Sequence, residues 1–110
     1  MIVKNVNDVK EELAHSGTCS TRSIFTKEFQ SPTLFFAETY VEPKVEIEPH
    51  THKEEEEVYY ILEGKGLMKV DGDEREVGPG DTILTLKGST HSIKNIGNVR
   101  LRMVVFTTKC

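Results

Sequence analysis

Turn residues punctuate this chain so often that only short strands fit between them. Asp71-Gly72-Asp73 has the composition of a tight hairpin turn, Gly78-Pro79-Gly80-Asp81 of another, and Gly64-Lys65-Gly66 breaks a third pair. The segments so delimited are rich in β-branched and aromatic residues. They predict strands at Ser23 to Glu28, Thr33 to Val41, Val45 to His52, Glu57 to Leu62, Leu67 to Val70, Glu74 to Val77, Thr82 to Leu86, His91 to Asn95 and Val99 to Thr107. Short strands at this spacing, with no second helix, define an all-β sandwich or barrel.

One short N-terminal helix is expected before the strands begin. Asp8 followed by Glu11 has capping-box spacing, Val6, Val9 and Leu13 make an apolar stripe, and Gly17 can end the helix in a left-handed conformation. His15 then sits favourably near the helix C-terminal dipole, facing solvent and apart from any site.

With 110 residues, the chain is expected to be a single domain, 1–110, burying roughly two-thirds of its unfolded surface. The net charge of −4 argues against a nucleic-acid footprint, which needs clustered Lys and Arg. No apolar run approaches the ~20 residues of a membrane helix. The start, Met1-Ile2-Val3-Lys4, lacks a secretory signal, so the cytoplasm is the expected compartment. Cys19 and Cys110 are accordingly expected to be free thiols.

His50, His52, Glu57 and His91 are the candidates for chemistry. Residues two apart on a strand share a face, so His50 and His52 can aim at one point. Glu57 can open the neighbouring strand, and His91 must arrive from a third. An isolated His-x-His is more often a pair of surface histidines, and the acidic run Glu54 to Glu57 is more often a solvated turn. Neutral imidazoles with one carboxylate suit manganese, iron, cobalt, nickel or zinc, and the lack of a cysteine partner argues against a structural thiolate zinc site.

The stretch from His50 to Gly64 resembles the first motif of the cupin superfamily: His-x-His, a glutamate after four residues, then a glycine after six. Gly80, Gly88, His91 and Asn95 are similar to its second motif. Leu86 stands where that motif usually has proline, and Lys44 where a glycine often precedes the first histidine by six residues. The resemblance implies a jelly-roll β-barrel holding one divalent metal on His50, His52, Glu57 and His91. It favours Glu57 over its neighbour Glu56, because Glu57 alone has six residues between it and Gly64. For Asn95 it implies a structural role, tying a turn by side-chain hydrogen bonds.

Strand parity puts Tyr59 and Ile61 on the face of Glu57, which makes Tyr59 a candidate catalytic residue. Glu38 is a candidate general acid or base if it points inward; the alternative has Phe35 and Ala37 filling the core and Glu38 in solvent. Leu101, Met103 and Val105 share one face of the last strand, leaving Arg100 and Arg102 at the surface. Val58, Tyr60 and Leu62 make the opposite face of the Glu57 strand apolar as well, which predicts a homodimer through that sheet. The expected function is a metal-dependent enzyme for a small oxygen-rich substrate: a keto acid, hydroxy acid or sugar derivative. Dioxygenase, decarboxylase and isomerase chemistry stay open. The alternative is a non-catalytic cupin that holds a metal and a small ligand as a sensor or carrier.

Overall fold

The computed structural model describes residues 1–110. Its strands are β1 (Glu12–Ala14), β2 (Cys19–Phe25), β3 (Thr33–Val41), β4 (Glu46–Thr51), β5 (Glu55–Glu63), β6 (Gly66–Val70), β7 (Asp73–Val77), β8 (Thr82–Thr85), β9 (Thr90–Asn95) and β10 (Leu101–Lys109). They form a six-stranded sheet, β1-β2-β3-β10-β5-β8, facing a four-stranded sheet, β4-β9-β6-β7. All pairings are antiparallel. The result is a jelly-roll barrel.

Period-2 alternation sets its interior. β10 turns Leu101, Met103, Val105 and Thr107 inward, and β5 turns Glu57, Tyr59 and Ile61 inward. The register places Met103 opposite Ile61, Val105 opposite Tyr59 and Thr107 opposite Glu57. Glu57 in turn lies opposite Thr85 of β8. The barrel is therefore apolar at one end and polar at the other. Val41, Ile61, Leu101 and Met103 are fully buried at the apolar end, where each such side chain contributes about 1.5–3 kcal/mol by leaving water. The site forms at the polar end.

The N-terminal segment departs from expectation. Instead of a helix there is a 3-10 turn at Val6–Asp8, capped by the Asn5 side chain rather than by Asp8. Glu12–Ala14 then pairs with Cys19–Thr21 as an edge strand. Leu13 stays 78% exposed, so the apolar stripe has nothing to pack against, and a short helix without tertiary packing is marginal. The strand ladder, together with an ion pair between Glu11 and Arg100, wins. The second strand consequently begins at Cys19, ahead of the expected Ser23.

Both departures from the family motifs are absorbed locally. Lys44 takes a left-handed backbone (φ 71°) without glycine's freedom. It is pinned there by its N–H donating to Asn95 O at 3.0 Å. Leu86 leaves its turn to Ser89, whose N–H and hydroxyl both donate to Leu86 O. Gly64 does need to be glycine: a Cβ there would lie 2.9 Å from the Leu101 Cα.

The two thiols are free, Cys19 buried and Cys110 exposed. Burial pushes the Cys19 thiol up to about 11, so almost none of it is thiolate near neutrality. Iodoacetamide at pH 8 is expected to modify Cys110 in the native protein and Cys19 only after unfolding. Peptide mass mapping that finds both labelled at similar rates contradicts this packing.

Candidate metal centre

Three strands and one loop deliver the expected four side chains to the polar end of the barrel. His50, on β4, lies directly across from His91 on β9, with ring centroids 4.3 Å apart. A register shift between Ile47 and His50, across Glu48 and Pro49, lets both of these residues face inward despite their odd spacing. His52 falls just past the end of β4. Its carbonyl accepts the Gly88 N–H at 2.7 Å, which fixes it against the loop before β9. Glu57 enters from β5.

One ligand atom from each of the four lies within 4.8 Å of all the others. Atoms bonded to one ion at about 2.0–2.2 Å lie at most roughly 4.4 Å apart, so the four stand near the spacing a shared ion requires.

Hydrogen bonds outside the group select the tautomers. His50 Nδ1 lies 2.9 Å from Glu48 O; a carbonyl only accepts, so the proton sits on Nδ1 and the Nε2 lone pair is free. His52 Nδ1 lies 2.9 Å from the Glu55 carboxylate, which orients that ring in the same way. His52 Nε2 is 2.9 Å from Glu57 Oε1 but lacks hydrogen-bond geometry and has no partner. A buried ring nitrogen with no hydrogen-bond partner beside a carboxylate is a lone pair available to a cation. The donor set therefore fits a divalent metal.

Glu57 is the focus of the field. Its Oε1 lies 3.2 Å from His91 Nε2 and accepts from Tyr59 Oη at 3.0 Å, while Oε2 accepts from the Thr107 hydroxyl at 2.8 Å. Burial works to raise its pKa, but the hydrogen bonds from His91 and Thr107, the neighbouring His52 and the Tyr59 hydroxyl outweigh it and leave the carboxyl at about 2. Glu57 is thus a carboxylate throughout the physiological range. Burial holds His50 below its ordinary 6.5, which keeps it neutral and able to ligate. Tyr59 is pushed well above its usual range by burial and then by Glu57, so it stays protonated as a donor.

The remaining candidates sort cleanly. Glu56 pairs with Thr108 and points away from Glu57's side of β5, outside the group. Glu38 faces the outer surface of the six-stranded sheet, where it accepts from Tyr40 Oη at 2.9 Å. Phe35 and Thr39, on the other face of β3, line the cavity instead. Sequence reasoning missed three neighbours of the group. Glu55 was expected to be solvated, though its position three residues after His52 is a usable signal. Thr107 is found only through the pairing of β10 with β5. His15, expected on a helix end away from the site, has its ring centroid 4.9 Å from that of His50.

The group opens onto a cavity of about 250 Å³, just under the usual range for small-molecule pockets. Phe35, Ile47, Met103 and Val105 give it apolar walls, and Thr21, Ser23 and Thr39 add hydroxyls.

Residues 37–107 match the family model described as Cupin domain, and the chain belongs to the cupin family. An oxalate-binding protein from Thermotoga maritima is 28% identical over 109 residues, covering 94% of this chain and 90% of that protein. The crystal structure of a predicted oxalate decarboxylase from Thermotoga maritima superposes with a TM-score of 0.92 at 26% identity, across 99% of this chain and 100% of that one. A 55-residue stretch is 51% identical to an uncharacterised protein of Methanocaldococcus jannaschii, covering 50% of this chain and 44% of that protein. The match therefore spans less than half of the Methanocaldococcus protein.

Proposed function

We propose that this cupin binds one divalent transition metal on His50, His52, Glu57 and His91 and acts on a small acid bearing several oxygens. The observation that carries this reading is the convergence of four ligand atoms within 4.8 Å at the base of a small cavity. The ion would supply Lewis-acid polarisation of substrate oxygens. Three neutral imidazoles and one carboxylate leave it a surplus charge of about +1, which favours anionic oxygen ligands. Phe35, Met103 and Val105 limit water beside the reacting atoms, and Thr107 and Tyr59 hold Glu57 in place. Tyr59 acts as a hydrogen-bond donor rather than as a base. Glu38 has no part, since it lies on the far side of the sheet. A small dicarboxylate is the favoured substrate class, supported by the oxalate-named likenesses from Thermotoga maritima.

The test is turnover of oxalate and a panel of keto and hydroxy acids by manganese-, iron- or zinc-loaded protein, with His52→Ala as the control. Turnover that His52→Ala abolishes supports an enzyme. Saturable binding with the acid recovered unchanged supports the second reading, a sensor or carrier. That reading draws on the full-length likeness to a protein named only for binding oxalate. No turnover and no binding of any acid in the panel contradicts both. No helix of the chain is long and apolar enough to cross a membrane.

We further propose that a second copy covers the outer face of the six-stranded sheet. Phe36, Val58, Tyr60, Leu84, Val104 and Phe106 lie there on neighbouring strands. Tyr60, Leu84 and Phe106 are among the exposed large hydrophobic side chains, and a contiguous patch of that kind marks an interface. Light scattering after size exclusion is expected to give twice the chain mass at micromolar concentration, and the chain mass for Tyr60→Lys. A wild-type monomer contradicts it.

A further inference from the structure

His15 is the one histidine of the chain outside the candidate metal group, and its placement is unusual. The segment that carries it lies over the cavity mouth: Ala14 and His15 both line the cavity, with Cys19 from the strand that follows. The imidazole packs beside His50, with centroids 4.9 Å apart and planes tilted by 39°. Its side chain makes no hydrogen bond or ion pair within the protein. The group able to hold a metal does not include it.

Two further observations bear on what it does. No lysine or arginine lines the cavity. An anionic ligand reaching past the metal group therefore meets apolar side chains, a few hydroxyls and His15. The backbone of this segment is also held in an uncommon conformation. His15 and Ser16 are consecutive non-glycine residues with left-handed φ, 49° and 57°, followed by Gly17 at 83°. Neither of the first two takes that conformation without strain. Pairing of β1 with β2 on either side, Thr18 Oγ1 donating to His15 O at 2.7 Å, and the Glu11–Arg100 ion pair hold the segment there.

We propose that His15 is a ligand-contacting residue, donating a ring N–H from the cavity mouth to the oxygens of a small acid that lie farthest from the metal group. This rests on the metal-and-acid reading above and adds the element that selects among acids. A dicarboxylate presents distal oxygens to His15. A monocarboxylate of similar size does not.

The experiment measures oxalate and acetate binding by calorimetry to manganese-loaded wild type, His15→Asn and His15→Gln. Asparagine tolerates the left-handed backbone but is too short to reach. The glutamine amide extends about as far as the imidazole Nε2. A hydrogen bond to a charged group is worth about 1.5–3 kcal/mol, so His15→Asn is expected to weaken oxalate binding by roughly 10- to 100-fold. Acetate affinity, manganese stoichiometry and melting temperature should stay near wild type, and His15→Gln should recover part of the loss. A purely structural role would move both acids together, so a parallel loss overturns the proposal. Unchanged oxalate affinity in both variants overturns it as well, while leaving the metal-and-acid reading standing. Loaded wild type that binds manganese but neither acid removes the parent reading, and this inference with it.

Discussion

Glu57→Ala and His91→Ala should each lower metal affinity by more than a hundredfold, which is over 2.7 kcal/mol. Losing a partner that merely orients a ligand costs 10- to 100-fold, and these two residues hold the ion themselves on this account. Because a bound ion stabilises the folded state by mass action, the gain in melting temperature on adding metal should vanish in both variants. Glu56→Ala is the control. It lies one residue away on the outer face of β5, and should keep one metal per chain. Elemental analysis of dialysed protein, paired with melting curves in chelator and in metal, reads both effects. Full metal content in Glu57→Ala would refute the ligand assignment.

The pH dependence follows from the same group. Glu57 has a folded pKa of about 2, below the ordinary carboxyl value of 4.5. A depressed carboxyl pKa adds stability that is complete above the unfolded value and is lost as pH falls through the folded one. The contribution of Glu57 should thus be intact at neutral pH and decline between about 4.5 and 2. His50, held below 6.5 by burial, disfavours the folded state only once the pH drops beneath that value. Metal-free protein should therefore lose stability on acidification and show no such loss between pH 7 and 8.

Asn95→Ala carries the largest expected effect on the fold itself. Asn95 is fully buried. Its amide donates to Val41 O and Val99 O, both at 2.8 Å, and its carbonyl accepts from Gly97 N at 2.9 Å. One side chain thus ties the end of β3 to the turn between β9 and β10. Truncation leaves up to three backbone groups without partners, each costing about 1–3 kcal/mol where water cannot reach. A loss of about 3 kcal/mol is expected, which corresponds to a drop of at least roughly 12 °C for a domain of this size. Asn95→Asp keeps the acceptor for Gly97 but loses both donors, so it should not rescue. A melting temperature within 3 °C of wild type, as an order-of-magnitude threshold, would show that Asn95 does not tie this junction.

The strands of the barrel were legible because turn residues bracket them, and because alternation within each reports its buried face. Leu101, Met103 and Val105 pointed inward as that alternation requires, and so did Tyr59 and Ile61. Val6, Val9 and Leu13 misled, since an apolar stripe at helical spacing says nothing about whether a surface exists to receive it. Here the competing pairing of Glu12–Ala14 with β2 prevailed. Glu38 was ambiguous for a related reason: Phe35 and Phe36 offer either face of β3 an aromatic residue, and only the folded packing decides between them. Within the site, the four converging side chains could be read from spacing within two motifs. Thr107 and His15 reach it through pairings between distant segments, β10 with β5 and β1 with β2. No local pattern encodes those pairings.

The most direct measurement is anomalous X-ray scattering from crystals of protein purified without chelator, recorded on either side of the metal's absorption edge. One peak is expected, bonded at about 2.0–2.2 Å to a nitrogen of His50, His52 and His91 and to an oxygen of Glu57. A peak held by other residues, or ordered water at the centre of those four side chains after soaking in manganese, iron or zinc, would contradict the account.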